Sequence, residues 1–268
     1  MDLSLAKINF CFPKKIHRLR SEQKLVGLII NEMEELGNIK YVGYSNKKKF
    51  QKDLESYVSR SNFIQYQTLS IKQKSFIKKN IHKTLKKCHQ FLPHPDPPIF
   101  IFIYPWFPNT KKLSLFQGVT AFATYYTMHI FINPNNYSKQ SLTETIAHEW
   151  NHLVFYRYHK EKSYNLRTYM AMEGMAEVFR EEIVKGSRSP WTLALTEEET
   201  IRQFETLKSY LNKNGIGLYK KIFYGNKKYK QWTGYSIGYY FMKKFRNKHP
   251  KLSWKKIIQI SSDKIIES

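Results

Sequence analysis

Cysteine is scarce in this sequence. The 268 residues include two cysteines, Cys11 and Cys88, which lie far apart and form no CxxC pair. A disulfide framework and a cysteine zinc site both need more cysteines than this. A metal ion in this chain would therefore have to be held by histidine and carboxylate side chains.

Long apolar runs are also missing. No stretch approaches the roughly 20 apolar residues that a membrane-spanning helix needs. The N-terminal segment "MDLSLAKINFCFPKKIHRLR" contains no apolar run of the length typical of a secretory signal. From these absences we expect a soluble, cytoplasmic protein with no membrane span.

Acidic residues are outnumbered. There are 21 Asp and Glu against 45 Lys and Arg, which gives a formal net charge of +24. Such an excess favours nucleic acid, an anionic membrane surface or acidic substrates as partners. The lysines are spread over the whole chain, however, and an AT-rich coding sequence accounts for them without a partner. Nucleic acid is therefore kept as an alternative partner rather than the favoured one.

The first 95 residues predict a basic helical region. From residue 77 to residue 92, apolar side chains recur every three or four positions with lysines between them. The segment "LPHPDPP", residues 92–98, ends this pattern because proline cannot continue a helix. We therefore divide the chain into an N-terminal helical region, 1–95, and a second region, 96–268.

Strands are predicted after the prolines, because the next segments are rich in β-branched and aromatic residues. In the third of them, alternation places His129 on the opposite face from Met128 and Ile130. We expect one face to be buried and the other accessible. The strand is either a buried structural element or an edge that pairs with an extended peptide. The three segments are "IFIFIYP" (99–105), "GVTAFATYY" (118–126) and "TMHIFINP" (127–134).

Helical periodicity returns after residue 134. The segment "SLTE" is a capping box with Ser141 as N-cap, which predicts a helix over about 142–158. A second helix is predicted over about 165–185, with a stop at Gly186. The sequence thus predicts an α+β fold that is mostly helical. A small, mainly antiparallel sheet, within 99–134, packs on the first of these helices, and a C-terminal helical subdomain follows.

The helix over about 142–158 carries the stretch "TIAHEWNHLVFY". His148 and His152 are four residues apart, so they share a helix face and can reach one ion. Glu149 points about 100° round, where it can meet a water on that ion. The bare HExxH pattern arises by chance in roughly one such chain in fifty, so a third ligand is needed to support a metal site.

Zinc in a hydrolytic site takes three protein ligands and leaves one position open. His159 does not complete the extended motif HExxHxxGxxH, because Phe155 and Tyr158 stand where that motif has glycine and histidine. The other candidate is Glu173 in "MEGMAE", within the next helix. Glu177 follows one turn later, where it can accept the second N–H of a ligating histidine.

Three blocks of the sequence carry a resemblance. The segments "TIAHEWNH", "EGMAE" and "GYSIGY" (234–239) resemble those of the gluzincin type of zinc metallopeptidase. More narrowly, they resemble a bacterial family of predicted Zn-dependent proteases with "TxxHEWxH", "EGxAE" and "GYxxGY" segments. The resemblance covers about 99–268 and implies His148, His152 and Glu173 as Zn²⁺ ligands. It also implies Glu149 as general base and Glu177 as the partner of a ligating histidine.

The resemblance also implies a group that stabilises the oxyanion, because gluzincins use a downstream tyrosine or histidine for it. Tyr235 is the favoured candidate and Tyr239 the alternative, and either one could instead be an ordinary half-buried core residue. Met172 stands where better-known gluzincins often have asparagine, so detailed substrate contacts do not transfer.

We therefore expect a zinc metallopeptidase that hydrolyses peptide bonds in a peptide or protein substrate. The alternative is a basic protein that binds nucleic acid or another partner and has a non-catalytic, metal-stabilised fold. A purely structural zinc site is disfavoured, because such a site has four protein ligands and no base such as Glu149.

Overall fold

The computed structural model of the protein describes residues 8–11, 22–35, 47–59, 69–95, 99–105, 117–124, 127–159 and 164–267. The strands are β1 (Ile8–Cys11), β2 (Ile99–Tyr104), β3 (Val119–Ala123) and β4 (Thr127–Ile132). The helices are α1 (Glu22–Glu35), α2 (Lys47–Ser59), α3 (Ile71–Phe91), α4 (Lys139–Tyr158), α5 (Leu166–Val184), α6 (Glu197–Leu207), α7 (Ile216–Phe223), α8 (Thr233–Lys248), α9 (Trp254–Ile257) and α10 (Ser262–Ile266). Within these residues, no helix is both long and apolar enough to cross a bilayer.

The sheet has the strand order β1-β2-β4-β3, and its buried face packs on α4, so the α+β class is confirmed. The expectation of a mainly antiparallel sheet is wrong for these four strands. β1 pairs with β2, and β2 with β4, in parallel, whereas β3 and β4 are antiparallel. The short connection between β3 and β4 permits a hairpin, and parallel pairs need the longer connections found elsewhere.

The strand β4 is buried on both faces and paired on both edges, so the expectation of an accessible face is wrong. Of the two alternatives for this strand, the buried structural element is confirmed. The His129 ring stacks between Phe102 and Phe122, with centroids 4.8 Å and 4.6 Å away. Its Nδ1 lies 3.1 Å from the Tyr104 hydroxyl, and its Nε2 lies 2.9 Å from the Thr127 hydroxyl. Burial lowers the pKa of His129 to about 3, so this imidazole is a neutral part of the core.

The opposite face of the sheet contributes to a core shared with α3, α4 and α5. Ile77 and Ile81 of α3 are fully buried in that core. The indole N–H of Trp150 on α4 donates to the Leu92 carbonyl at 2.9 Å, which ties α4 to the end of α3. The division of the chain at residue 95 stays a prediction.

The helix α4 begins one turn earlier than its sequence pattern predicts. Ser138 is the N-cap: its hydroxyl accepts from the Ser141 backbone N–H, and the Ser141 hydroxyl accepts from the Ser138 N–H. Ser141 therefore occupies the N3 position of the capping box instead of the N-cap position. Glu144, which we expected at N3, instead forms an ion pair with Arg180 at 3.0 Å.

The helices α5 and α8 cross at two glycines. A Cβ on Gly174 would lie 2.2 Å from the Gly238 carbonyl oxygen, and a Cβ on Gly238 would lie 2.1 Å from that of Met170. Gly174 therefore permits the close approach of α8. The end of α5 also differs from expectation, because its left-handed C-cap is Lys185, not Gly186.

We predict that Gly238→Ala lowers the free energy of unfolding by about 1–3 kcal/mol, because the added methyl forces backbone atoms of the two helices apart. The matched control is Gly217→Ala in α7, where a Cβ would meet nothing within 4 Å. The control should unfold at the same urea concentration as the wild type or slightly higher. Equal midpoints for Gly238→Ala and the wild type would contradict the tight crossing.

Candidate metal centre

Three donor atoms from α4 and α5 converge on one point. The Nε2 atoms of His148 and His152 lie 2.9 Å apart. Oε2 of Glu173 lies 3.4 Å from the first nitrogen and 3.5 Å from the second. His152 and Glu173 are buried, and the His148 side chain is 13% exposed. Among the described residues, these three side chains form the cluster able to hold a metal ion.

The spacing of these donor atoms fits a small tetrahedral cation. Donors held about 2.0–2.1 Å from a zinc ion in a tetrahedron lie roughly 3.3 Å from one another. The two separations to Glu173 are close to that value, and the histidine pair is slightly shorter. Two imidazoles and one carboxylate are also the ligand types that hydrolytic zinc sites use.

The sequence-predicted residue Glu177 lies behind His148 and is fully buried. Its Oε1 is 2.7 Å from Nδ1 of His148, the nitrogen that does not face the cluster. A proton on Nδ1 that is donated to Glu177 leaves Nε2 with a free lone pair, as a metal ligand requires. The structure thus brings together four of the predicted residues: His148, His152, Glu173 and Glu177.

Glu177 accepts hydrogen bonds from three further side chains. The Trp191 indole N–H donates to Oε1 at 2.9 Å, and the Ser189 hydroxyl donates to Oε2 at 2.6 Å. The Arg180 guanidinium, itself buried, donates to Oε2 at 3.2 Å. Burial favours the neutral acid, but the hydrogen bond from His148 and the nearby positive charges lower the pKa of Glu177 to about 2. Glu177 is therefore a carboxylate at neutral pH.

The same electrostatics act on the candidate ligands in the metal-free protein. Burial disfavours a charged His148, but the hydrogen bonds to Glu173 and Glu177 prevail and raise its pKa to about 10. Burial likewise opposes ionisation of Glu173, yet the two histidines lower its pKa to about 2. A proton on His148 thus offsets part of the buried negative charge, and a divalent cation would replace it in that role.

Glu149 is buried beside the cluster, with His152, His148 and Glu173 as its titratable neighbours. Burial raises the pKa of this carboxyl group. The shift moves the pKa toward neutral pH, where a general acid or base works best. The backbone N–H of Ala123, at the end of β3, donates to the carboxylate. The edge of the sheet therefore orients Glu149 relative to the cluster.

The two tyrosines of the "GYSIGY" segment have different surroundings. The Tyr239 hydroxyl donates to Glu181 at 3.0 Å and is thereby committed to a different part of α5. The Tyr235 hydroxyl forms a hydrogen bond with that of Tyr219 on α7. Tyr219 in turn donates to Oε1 of Glu173 at 3.5 Å. The hydroxyl that reaches the candidate ligand directly is therefore that of Tyr219.

His159, rejected from the motif spacing, has a different role in the fold. Its ring stacks on Phe155 with centroids 4.0 Å apart, and its Nε2 lies 2.7 Å from the Ile258 carbonyl oxygen. This histidine ties the end of α4 to the C-terminal helices.

Sequence reasoning missed Tyr219, Trp191, Ser189 and Arg180. Arg180 carried a weak signal, because it follows Glu177 by three residues and so shares its helix face. Tyr219 lies in a helix with no recognised motif. Ser189 precedes a short 3₁₀ helix, Pro190–Thr192, and Trp191 lies within it. No periodic sequence pattern marks either residue.

Comparison with known proteins shows the family to which the sequence belongs. The sequence model of a family described as "Predicted Zn-dependent protease (DUF2268)" matches residues 77–267. An uncharacterised protein of Bacillus subtilis (strain 168), YjfC, is 25% identical over 203 residues. That match covers 68% of this chain and 66% of the relative, so it falls just short of two thirds of the relative's length. No solved structure matches the chain significantly.

We predict that the purified protein binds one zinc ion per chain and that Glu173→Ala weakens this binding. Removal of a residue that contacts a metal ligand from outside typically lowers metal affinity by about 10–100-fold. Removal of a direct donor should lower the affinity by more than that. The control is Glu205→Ala, which removes an exposed glutamate paired with Lys208. Competition with a chromophoric chelator measures the affinity, and wild-type affinity in Glu173→Ala would contradict the assignment.

Proposed function

Because the chain belongs to the family described as predicted Zn-dependent proteases, we propose that it is a gluzincin-type zinc metallopeptidase that hydrolyses peptide bonds. The observation that carries this proposal is the convergence of the His148, His152 and Glu173 donor atoms, with Glu149 buried beside them. Bound zinc supplies a Lewis acid and lowers the pKa of a coordinated water to about 7.

The first task of the protein is to hold the ion and keep one position open. His148 and His152 would hold the ion through Nε2 and Glu173 through Oε2, because these atoms face one another. Glu177 fixes the His148 ring from behind. Among the described residues, three side chains could ligate an ion at this point, which supports a catalytic site over a four-ligand structural one.

Glu149 is the general base. Its carboxylate takes the proton of the attacking water and passes it to the leaving amine nitrogen as the peptide bond breaks. Its burial and the resulting rise in its pKa support this role, because a base works best when its proton affinity lies near the working pH. The N–H of Ala123 keeps the carboxylate oriented.

The peptide substrate lies beside β3. Because β4 is paired on both edges, it cannot pair with an extended peptide. The candidate strand for that pairing is β3, which lies at one end of the described sheet. The contact between Ala123 and Glu149 supports this choice, because it brings the end of β3 to the base. Pairing through the backbone provides affinity with little demand on the substrate sequence.

The oxyanion that forms at the peptide carbonyl is stabilised by the pair Tyr219 and Tyr235. Their hydroxyls are hydrogen-bonded to each other, and the pair lies against Glu173. Burial raises the pKa of both phenols well above the ordinary value, so both keep their protons at neutral pH. To act as the donor, a phenol turns its single proton from its present acceptor to the oxyanion. The Tyr239 hydroxyl instead contacts Glu181, which lies outside the cluster, and this supports Tyr219 and Tyr235 over Tyr239 in this role.

We predict that Glu149→Gln retains zinc but lowers kcat on an unfolded protein substrate by about 10²–10⁴-fold, the usual contribution of a general base. Zinc content and hydrolysis are measured on the same preparation. Glu205→Gln, at an exposed position far from the cluster in sequence, is the control and should equal the wild type. Undiminished hydrolysis by Glu149→Gln would exclude this base, and an inactive, metal-loaded wild type would count against the peptidase assignment.

We predict that Tyr219→Phe and Tyr235→Phe each lower kcat by about 10²-fold, because each removes a hydroxyl from the oxyanion pair. The double variant should lose little more than either single one, since residues that act as a unit are not additive. Tyr239→Phe is the matched control and should keep wild-type kcat. Wild-type kcat in both single variants, or a loss in Tyr239→Phe alone, would show that the donor lies elsewhere. Multiplicative losses in the double variant would show that the two hydroxyls act independently and not as a pair.

A further inference from the structure

The segment 187–192, which follows α5, contributes two hydrogen bonds to the candidate centre. Trp191 donates to Oε1 of Glu177, the same oxygen that lies 2.7 Å from Nδ1 of His148. Ser189 donates to the other oxygen at 2.6 Å and is itself buried. Neither residue belongs to a sequence block that marks the site. Each of them nevertheless contacts Glu177, which in turn contacts the candidate ligand His148.

All acceptor positions of the Glu177 carboxylate are in use. A carboxylate has about four positions that accept hydrogen bonds. His148 and Trp191 occupy those of Oε1, while Ser189 and Arg180 occupy those of Oε2. The carboxylate plane cannot turn without breaking at least one of these contacts, so its orientation is fixed from both sides.

The segment is itself anchored to its neighbours. The Ser236 hydroxyl of α8 donates to the Trp191 carbonyl at 3.1 Å. Arg180 donates to the Ser187 carbonyl at 2.7 Å, so one buried guanidinium holds both the segment and Glu177. Edge contacts of the Trp191 ring with Trp232 and Tyr235 fix the direction of the indole N–H.

We propose that Trp191 and Ser189 are positioning residues for the metal ligand His148: they fix Glu177, and Glu177 fixes the imidazole. This inference rests on the proposed function in one respect, which is that the bound ion is zinc. Outer partners of metal ligands contribute to affinity because they limit the orientations of the ligand in the metal-free protein. The segment 187–192 thereby makes metal affinity depend on a part of the chain that contributes no ligand.

The test is zinc affinity, measured by chelator competition in Trp191→Phe. This variant keeps an aromatic ring and removes the N–H, and we expect its affinity to fall by about tenfold. The matched control is Trp254→Phe. Trp254 also donates its indole N–H to a glutamate of α5, Glu182, at 2.8 Å, but away from the cluster. The control should lose thermal stability to a similar degree and keep wild-type zinc affinity.

A second variant, Ser189→Ala, removes one hydroxyl and no ring, so it tests the inference if Trp191→Phe does not fold. Its zinc affinity should fall in the same direction. Affinities within twofold of the wild type in both variants, or an equal loss in Trp254→Phe, would overturn the positioning role.

The outcome also separates this inference from the proposed function. A wild-type protein that binds no zinc would refute both. A wild type that binds zinc in a Trp191-dependent way but hydrolyses no peptide would refute only the peptidase assignment.

Discussion

Three glutamates, Glu149, Glu173 and Glu177, are buried within a short distance of one another between α4, α5 and their neighbours. Burying a carboxylate costs free energy unless a hydrogen bond or an opposite charge compensates for it. Much of the surrounding structure provides that compensation. Arg180 lies against Glu177, and His148 lies between Glu177 and Glu173. A divalent cation at the three donor atoms would complete the balance, so metal binding and the stability of this region are expected to be coupled.

The scaffold explains how such charges are kept in place. The helix α5 carries both Glu173 and Glu177, and its adjacent face packs closely against α8 at the Gly174 and Gly238 crossing. The helix α4 is held by the sheet on one side and by the Trp150 contact with the end of α3. Because both helices are fixed, the distances from the two histidines of α4 to Glu173 and Glu177 of α5 are also fixed. Preorganisation of this kind lets a site bind an ion without first paying for the ordering of its ligands.

Local periodicity made the core of the site predictable. The four-residue spacing of His148 and His152, and of Glu173 and Glu177, defines helix faces whether or not the tertiary structure is known. Those four residues meet as expected, and the α+β class is confirmed. The directions of the strands were not predictable, because they depend on which distant segments pair. For the same reason the burial of His129 was missed, since the stacking partners Phe102 and Phe122 come from other strands.

The remaining gaps have a common cause. Trp191 and Ser189 contact Glu177 from outside the α-helices. Tyr219 contacts Glu173 from a helix 46 positions further along the sequence. No periodic pattern encodes such contacts. Ser138 was missed as the N-cap because serine stands where a capping box usually has glutamate. The residues that contact the candidate ligands from outside are therefore harder to predict than the candidate ligands themselves.

The central claim is that one metal ion is bound by two imidazoles and one carboxylate. It is tested most directly by diffraction from zinc-containing crystals, with data collected on both sides of the zinc absorption edge. We expect a single strong anomalous peak roughly 2.0–2.2 Å from Nε2 of His148, Nε2 of His152 and an oxygen of Glu173. A zinc peak at another position, or none at this one in zinc-saturated crystals, would contradict the claim.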